Sequence, residues 1–140
     1  MSEFKVEKDF MMGDYRCVIL GLSIGHRCGY VGLPKEHKYN DKDYDEIDVN
    51  VHGGLTFAGK GRKYPVDDDR YYIGFDCAYY NDKKDLKLMK ELCDEKTYNI
   101  LADIEDRFDT GGIVRTTEYV EEQLKELVNQ LSEGENVNEQ

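Results

Sequence analysis

Three short segments carry residues whose types and spacing could do chemistry. The first is IDVNVHGG, residues 47–54, where Asp48, Asn50 and His52 recur at every second position. In an extended chain that spacing turns all three to one side. The glycine pair behind His52 lets another backbone or a ligand approach closely. An imidazole on such a face can move a proton; the same alternation also describes the ordinary wet face of a half-exposed strand. The second segment is GFDCAYYND, residues 74–82, which sets Asp76 among Phe75, Cys77, Ala78 and Tyr79. A carboxylate in that company needs a donor. If the strands bearing 47–52 and 70–80 are neighbours, His52 can supply it, as an acid–base pair or as a tie between strands. The third is GGIVRTTEYV, residues 111–120, in which two glycines precede Arg115, Thr116 and Thr117. At the start of a helix, free N–H groups and the dipole attract anions, and Arg115 adds a charged fork. Threonine caps are also common where no anion binds.

Other segments carry less. IGHRCGYVG (24–32) places Arg27 and Tyr30 between glycines, but without the strand–turn–helix setting of a dinucleotide fingerprint. GKGRK (59–63) matches a phosphate loop in composition only. The four cysteines, Cys17, Cys28, Cys77 and Cys93, form no C-x-x-C pair, and three lie in apolar or strand-like runs. They read as buried thiols rather than a disulfide framework, with a reactive thiol or a partial metal site as the other reading; His26 and Cys28 are the only close His/Cys pair. Nucleophile-elbow, zinc-protease and EF-hand patterns are not found. The expectation is therefore no catalytic residue, no cofactor and no metal. Eleven tyrosines and no tryptophan suit sheet packing, and also give faces on which a base can stack.

The elements that must position these residues follow from periodicity. Residues 4–12 and 15–23 read as a hairpin around Gly13-Asp14, the second strand apolar enough to be central. Residues 27–33 make a third strand closed by Pro34, and 35–46 a polar loop. Residues 47–51 alternate as a strand, with 55–59 returning beside it and 70–80 the strongest strand of all. The period then changes. Leu86, Met89, Leu92 and Cys93 recur at helical spacing behind Asp82 or Asp85 as N-cap. Tyr98, Leu101, Ile104 and Phe108 continue more weakly. Val120, Leu124, Leu127, Val128 and Leu131 form a full apolar stripe behind Thr116 or Thr117. The expected architecture is α+β: an antiparallel sheet from the N-terminal half packed with C-terminal helices, one domain over 1–131 and a disordered tail over 132–140.

Charge narrows the function classes. With 19 basic and 30 acidic residues the formal charge is −11, which argues against a general nucleic-acid binder. The acidic residues are spread over 41–48, 67–69, 82–85 and 118–126, as on solvated loops and helix faces. The first ten residues lack the pattern of a signal peptide, and no apolar run is long enough to span a bilayer. A cytoplasmic protein is expected.

Taken together, GYVGLP, DYDEIDVNVHGGLTFAG, YYIGFDCAYYND and GGIVRTTEYVEEQLKEL resemble a family of small, mostly phage-encoded proteins. These share a GYVG-x-P segment, an HGGLT segment, a GFDCA segment and a final Y-V-x-x-E helix. The likeness covers residues 25–82 and 110–131; the stretch 83–109 is longer here, and Tyr79 stands where the family often has His. The family resembles in turn the first-described Thoeris anti-defence proteins. That implies a viral sponge that sequesters a cyclic ADP-ribose-type immune signal without cleaving it, acting in the host cytoplasm as a homo-oligomer with interfacial pockets. On this reading Tyr30 and Phe75 offer aromatic faces for adenine, and Arg27 and Arg115 meet pyrophosphate. Asp48, Asn50 and Asp76 take ribose hydroxyls, and His52, Thr116 and Thr117 complete the site. Two other readings stay open: an inhibitor that binds a host enzyme through its acidic surface, and a small hydrolase using His52 and Asp76.

Overall fold

The structure, a computed structural model, describes residues 4–62, 64–79, 81–108 and 111–138, with side chains described to residue 133. The hairpin forms as its turn signal requires. β1 (Phe4–Met12) and β2 (Tyr15–Leu22) pair antiparallel, with Gly13 at φ +58° in the turn, where a side chain would strain the backbone. β1 carries a bulge between Val6 and Lys8 that leaves Glu7 out of register. Bulges re-aim side chains, and the Glu7 carboxylate lands on Arg27.

β3 (Arg27–Gly32) pairs with β2, and β4 (Phe57–Lys60) and β5 (Tyr71–Asp76) complete a five-stranded antiparallel sheet in the order β1-β2-β3-β5-β4. A two-stranded parallel ladder joins β6 (Asp82–Lys83) to β7 (Ile113–Val114). The helices are α1 (Leu86–Leu92), α2 (Glu95–Arg107) and α3 (Thr117–Asn138). The fold is thus α+β, with the sheet drawn from the N-terminal half and the helices following it.

α3 forms the main core because its stripe repeats at helical spacing. Val120, Leu124, Leu127, Val128 and Leu131 are buried against Cys17, Ile19, Val31, Leu33, Ile73 and Phe75 on one sheet face. Each fully buried side chain of this size contributes about 1.5–3 kcal/mol of transfer free energy. The other face buries Val18, Leu20, Cys28, Tyr30 and Tyr72 beneath Phe4, Phe57, Tyr64 and Val66. β2 is covered on both faces, as its unbroken apolar run implies. α1 starts at Asp85, which accepts from the Lys87 and Leu88 amides; α2 starts at Asp94 and buries none of its side chains.

Three expectations change. Residues 47–51 are extended but join no sheet, because β4 occupies the free edge of β5. Their alternation is nonetheless real: Ile47, Val49 and Val51 pack on the α3 side of the core, and Asp48 and Asn50 are exposed. The unpaired backbone is met by glutamines on α3. Gln130 accepts from the Asn50 amide (2.6 Å) and donates to its carbonyl (2.7 Å), while Gln123 accepts from the His52 amide (2.9 Å). The strand expected over 70–80 ends at Asp76, and Tyr80 lies outside the described residues. The tail expected to be disordered from Ser132 continues α3 as far as Asn138; residues 139 and 140 lie outside the described residues.

Because one side chain satisfies both main-chain groups of Asn50, Gln130→Ala should cost about 1–2 kcal/mol. Native-state hydrogen exchange should show the Asn50 amide exchanging faster while the His52 amide, bound to Gln123, keeps its protection. Equal acceleration at both would mean that the segment is held as one unit by apolar contacts.

Candidate functional site

Asp82 is the centre of the site. The sequence offers it as a helix cap, but Asp85 takes that role. The ladder between β6 and β7 carries the Asp82 side chain inward instead, to 1% exposure. A carboxylate so buried must collect donors, and three converge. The Arg115 Nε donates to Oδ1 at 2.8 Å, the His52 Nε2 meets Oδ2 at 2.8 Å, and the Tyr79 amide donates to Oδ2 at 3.1 Å. Burial alone would raise the carboxyl pKa; the bonds from Arg115, His52 and Tyr79 outweigh it and hold the pKa below the usual carboxylate range.

Each donor arrives on a different element. His52 is presented by the extended segment that Gln123 pins to α3. Its other ring nitrogen, Nδ1, meets the Tyr119 hydroxyl at 2.7 Å, and the two rings stand edge to face at 5.4 Å. Arg115 lies between β7 and α3, with its guanidinium 4.8 Å from the centre of the Tyr119 ring. Its Nη atoms have no acceptor among the described residues. Tyr79, 41% exposed, donates its hydroxyl to the Gly53 carbonyl at 3.0 Å. Gly53 has φ +69°, and a Cβ there would sit 2.1 Å from the Tyr79 ring. The glycine that follows His52 is therefore needed for a close approach, here to a tyrosine of the same chain. Below lies Cys77, buried, its thiol pushed up to about 12 by burial and the nearby Asp82 charge.

The residues proposed from sequence divide into those that this cluster gathers and those that it does not. His52 and Arg115 meet on Asp82, and Thr116 adjoins them as the cap of α3, its hydroxyl accepting from the Tyr119 amide at 3.1 Å. Thr117 lines a groove with Lys5, Lys8, Glu118 and Glu121. The pairing of His52 with Asp76 is corrected: at the end of β5, Asp76 lies beside Cys28 and accepts from the Thr56 hydroxyl at 3.1 Å. Arg27 binds other acids. It is buried and bound to Glu7 through Nε (2.6 Å) and Nη2 (3.2 Å) and to Asp85 through Nη1 (2.9 Å), with a further bond to the Arg115 carbonyl. Two carboxylates already occupy that guanidinium, so it works as a clamp between β1, α1 and the approach to α3. Tyr30 and Phe75 are core. Tyr30 shares a 2.5 Å hydroxyl contact with Tyr64 on the far sheet face, and Phe75 lies under Val120 against Gly29. Asp48 and Asn50 remain exposed, Asn50 anchored through its backbone to Gln130.

Asp82, Tyr79 and Tyr119 were missed by sequence reasoning. The available signal was the spacing of Tyr119, Gln123 and Gln130 on α3. At three to four residues per turn, such positions share a face, and that face receives Asn50 and His52.

A buried carboxylate stripped of one partner leaves the other unsatisfied. Asp82→Asn should therefore destabilise the chain by about 3 kcal/mol. The pH dependence follows from the same group. Asp82 and Asp85 both have folded pKa values below their unfolded values near 4, despite burial, because Arg115 and His52 hold one and Arg27 holds the other. Their stabilising contribution is complete above about pH 4 and lost as pH falls through the folded values. Thermal melts between about pH 6 and 2.5 should show a loss that is shallower in Asp82→Asn; identical slopes would remove Asp82 from the account.

No protein-family model matches the chain, and neither a curated protein nor a solved structure matches it.

Proposed function

We propose that this protein is a non-catalytic binding protein that sequesters an anionic, cyclic ADP-ribose-class immune signal at the surface formed by Arg115, Thr116, Tyr79 and Tyr119. The observation that carries the reading is the posture of Arg115. Its Nε is fixed on Asp82 while its terminal nitrogens have no acceptor among the described residues, beside the N-terminus of a long helix. A guanidinium pre-oriented in this way meets a phosphate with little further ordering. Tyr79 and Tyr119 offer ring faces for a base next to that cation. The resemblance of the GYVG, HGGLT and GFDCA segments to anti-defence sponges supplies the ligand class. Oligomerisation, with copies meeting around this surface, is part of the same proposal; the exposed Ile113, next to Val114 on β7, gives that surface an apolar rim.

Arg27, Tyr30 and Phe75 have no part in this version of the site, which moves the ligand contacts to Tyr79 and Tyr119. Arg115→Glu is a poor test, because it would set a second carboxylate against Asp82. Tyr79→Ala and Arg115→Lys are better, since Lys keeps the charge and loses the fork. Calorimetry with cyclic ADP-ribose should show binding by the wild type. Affinity should fall by about tenfold or more in each variant, the equivalent of losing one charged or aromatic contact. Denaturing the loaded protein should return the ligand intact by mass spectrometry. Recovery of a cleaved product would make the protein an enzyme, and absence of binding would overturn the ligand class.

A further inference from the structure

We infer that His52, Cys77 and Asp82 form a binding site for a single borderline-soft divalent cation such as Zn2+. The imidazole, thiol and carboxylate ligand atoms of these three residues all lie within 4.8 Å of one another. One nitrogen, one sulfur and one oxygen donor is a set suited to zinc or cobalt and unsuited to magnesium or calcium, which prefer oxygen alone. The three donors come from three separate places, namely the segment after 47, the chain beyond β5, and β6. Their convergence is therefore a property of the fold.

The surroundings are those that a metal site requires. Arg115 and the Tyr79 amide orient the Asp82 carboxylate, and Arg115 takes Oδ1, leaving Oδ2 on the side of His52. The Tyr119 hydroxyl holds His52 Nδ1, which fixes the ring with Nε2 toward the other two ligands. Such outer partners set ligand direction and tautomer in known metal sites. Asp82 and Cys77 are buried and His52 half-buried, so water is largely excluded on the protein side. One carboxylate and one thiolate set two negative charges against the divalent ion, with the Arg115 guanidinium on the outer oxygen of the carboxylate.

The exchange is simple to write. Without metal, a ring proton bridges His52 Nε2 and Asp82 Oδ2, and Cys77 carries its own proton. On binding, Nε2, Sγ and Oδ2 each donate an electron pair to the ion. The ring proton moves to Nδ1, where the Tyr119 oxygen accepts it, and the thiol proton leaves to buffer. With the ring proton kept on the imidazole, one proton is released for each ion bound.

This inference does not rest on the nucleotide reading, and its test contains no nucleotide. The full chain, treated with chelator and kept reduced, is titrated with Co2+. A thiolate-to-cobalt absorption band should saturate at a single equivalent. Calorimetry in two buffers of different ionisation heat should count one proton released. Cys77→Ser should abolish the band, whereas Cys93→Ser should keep it, because Cys93 binds the Ser23 carbonyl elsewhere. Tyr119→Phe should weaken uptake about tenfold, as loss of an outer partner does, and His52→Gln should weaken it further. Should Cys77→Ser fail to fold by circular dichroism, His52→Gln decides the matter. No band in the wild type, a band retained in folded Cys77→Ser, or unchanged affinity in folded His52→Gln would overturn the site.

Discussion

A carboxylate with 1% of its side chain exposed is the constraint around which this end of the molecule is arranged. Left alone, Asp82 would be too costly to bury. It is tolerable because a cation and an imidazole reach it from 33 and 30 positions away, and a backbone amide from three. Each of those segments is in turn held elsewhere: Arg115 by the short ladder of β7 with β6, His52 by Gln123 and Tyr119, and the Tyr79 region by the contact of its hydroxyl with Gly53. Removing the carboxylate would leave the ends of all three without a common anchor.

A second clamp works beside the first. Arg27 joins Glu7 of the β1 bulge, Asp85 at the head of α1 and the Arg115 carbonyl. The two guanidiniums thus have different duties. Arg27 has both of its carboxylate partners inside the fold, whereas Arg115 shares one carboxylate and faces outward. That contrast is why the proposed anion contact sits on Arg115 alone. It also shows why a net charge of −11 does not bar an anionic ligand: a local cation, oriented by a buried acid, sets the field at short range.

The same cluster supports two distinct proposals because its parts face different ways. Tyr79 and the cap of α3 are exposed and Arg115 partly so; Cys77 and the inner edges of His52 and Asp82 are turned toward the core. A metal held by the inner three would stiffen the platform on which the outer groups stand. The hydrogen-bonded line Asp82–His52–Tyr119 has the look of a proton relay. It is equally the arrangement that fixes a ligating imidazole, and the thiol beneath it favours the second use.

The sequence by itself determined the class of the fold, because that depends on local periods. Alternation and β-branched runs gave the strands of the sheet, and the stripe from Val120 to Leu131 gave the helix that covers it. It also singled out His52 and Arg115, since glycine pairs and a helix cap are local signals. Partners were another matter. Alternation over 47–52 says which side chains share a face, but not that β4 has taken the sheet edge and that glutamines of α3 replace the ladder. Whether Arg27 is a ligand contact or a clamp depends on Glu7 and Asp85, residues 20 and 58 positions away. Whether Asp76 or Asp82 receives His52 depends on where β5 ends and how the chain turns after it. Hydrogen bonds and ion pairs act over about 3 Å, and sequence separation carries no information on that scale. Only the packed structure could decide which acid met which base.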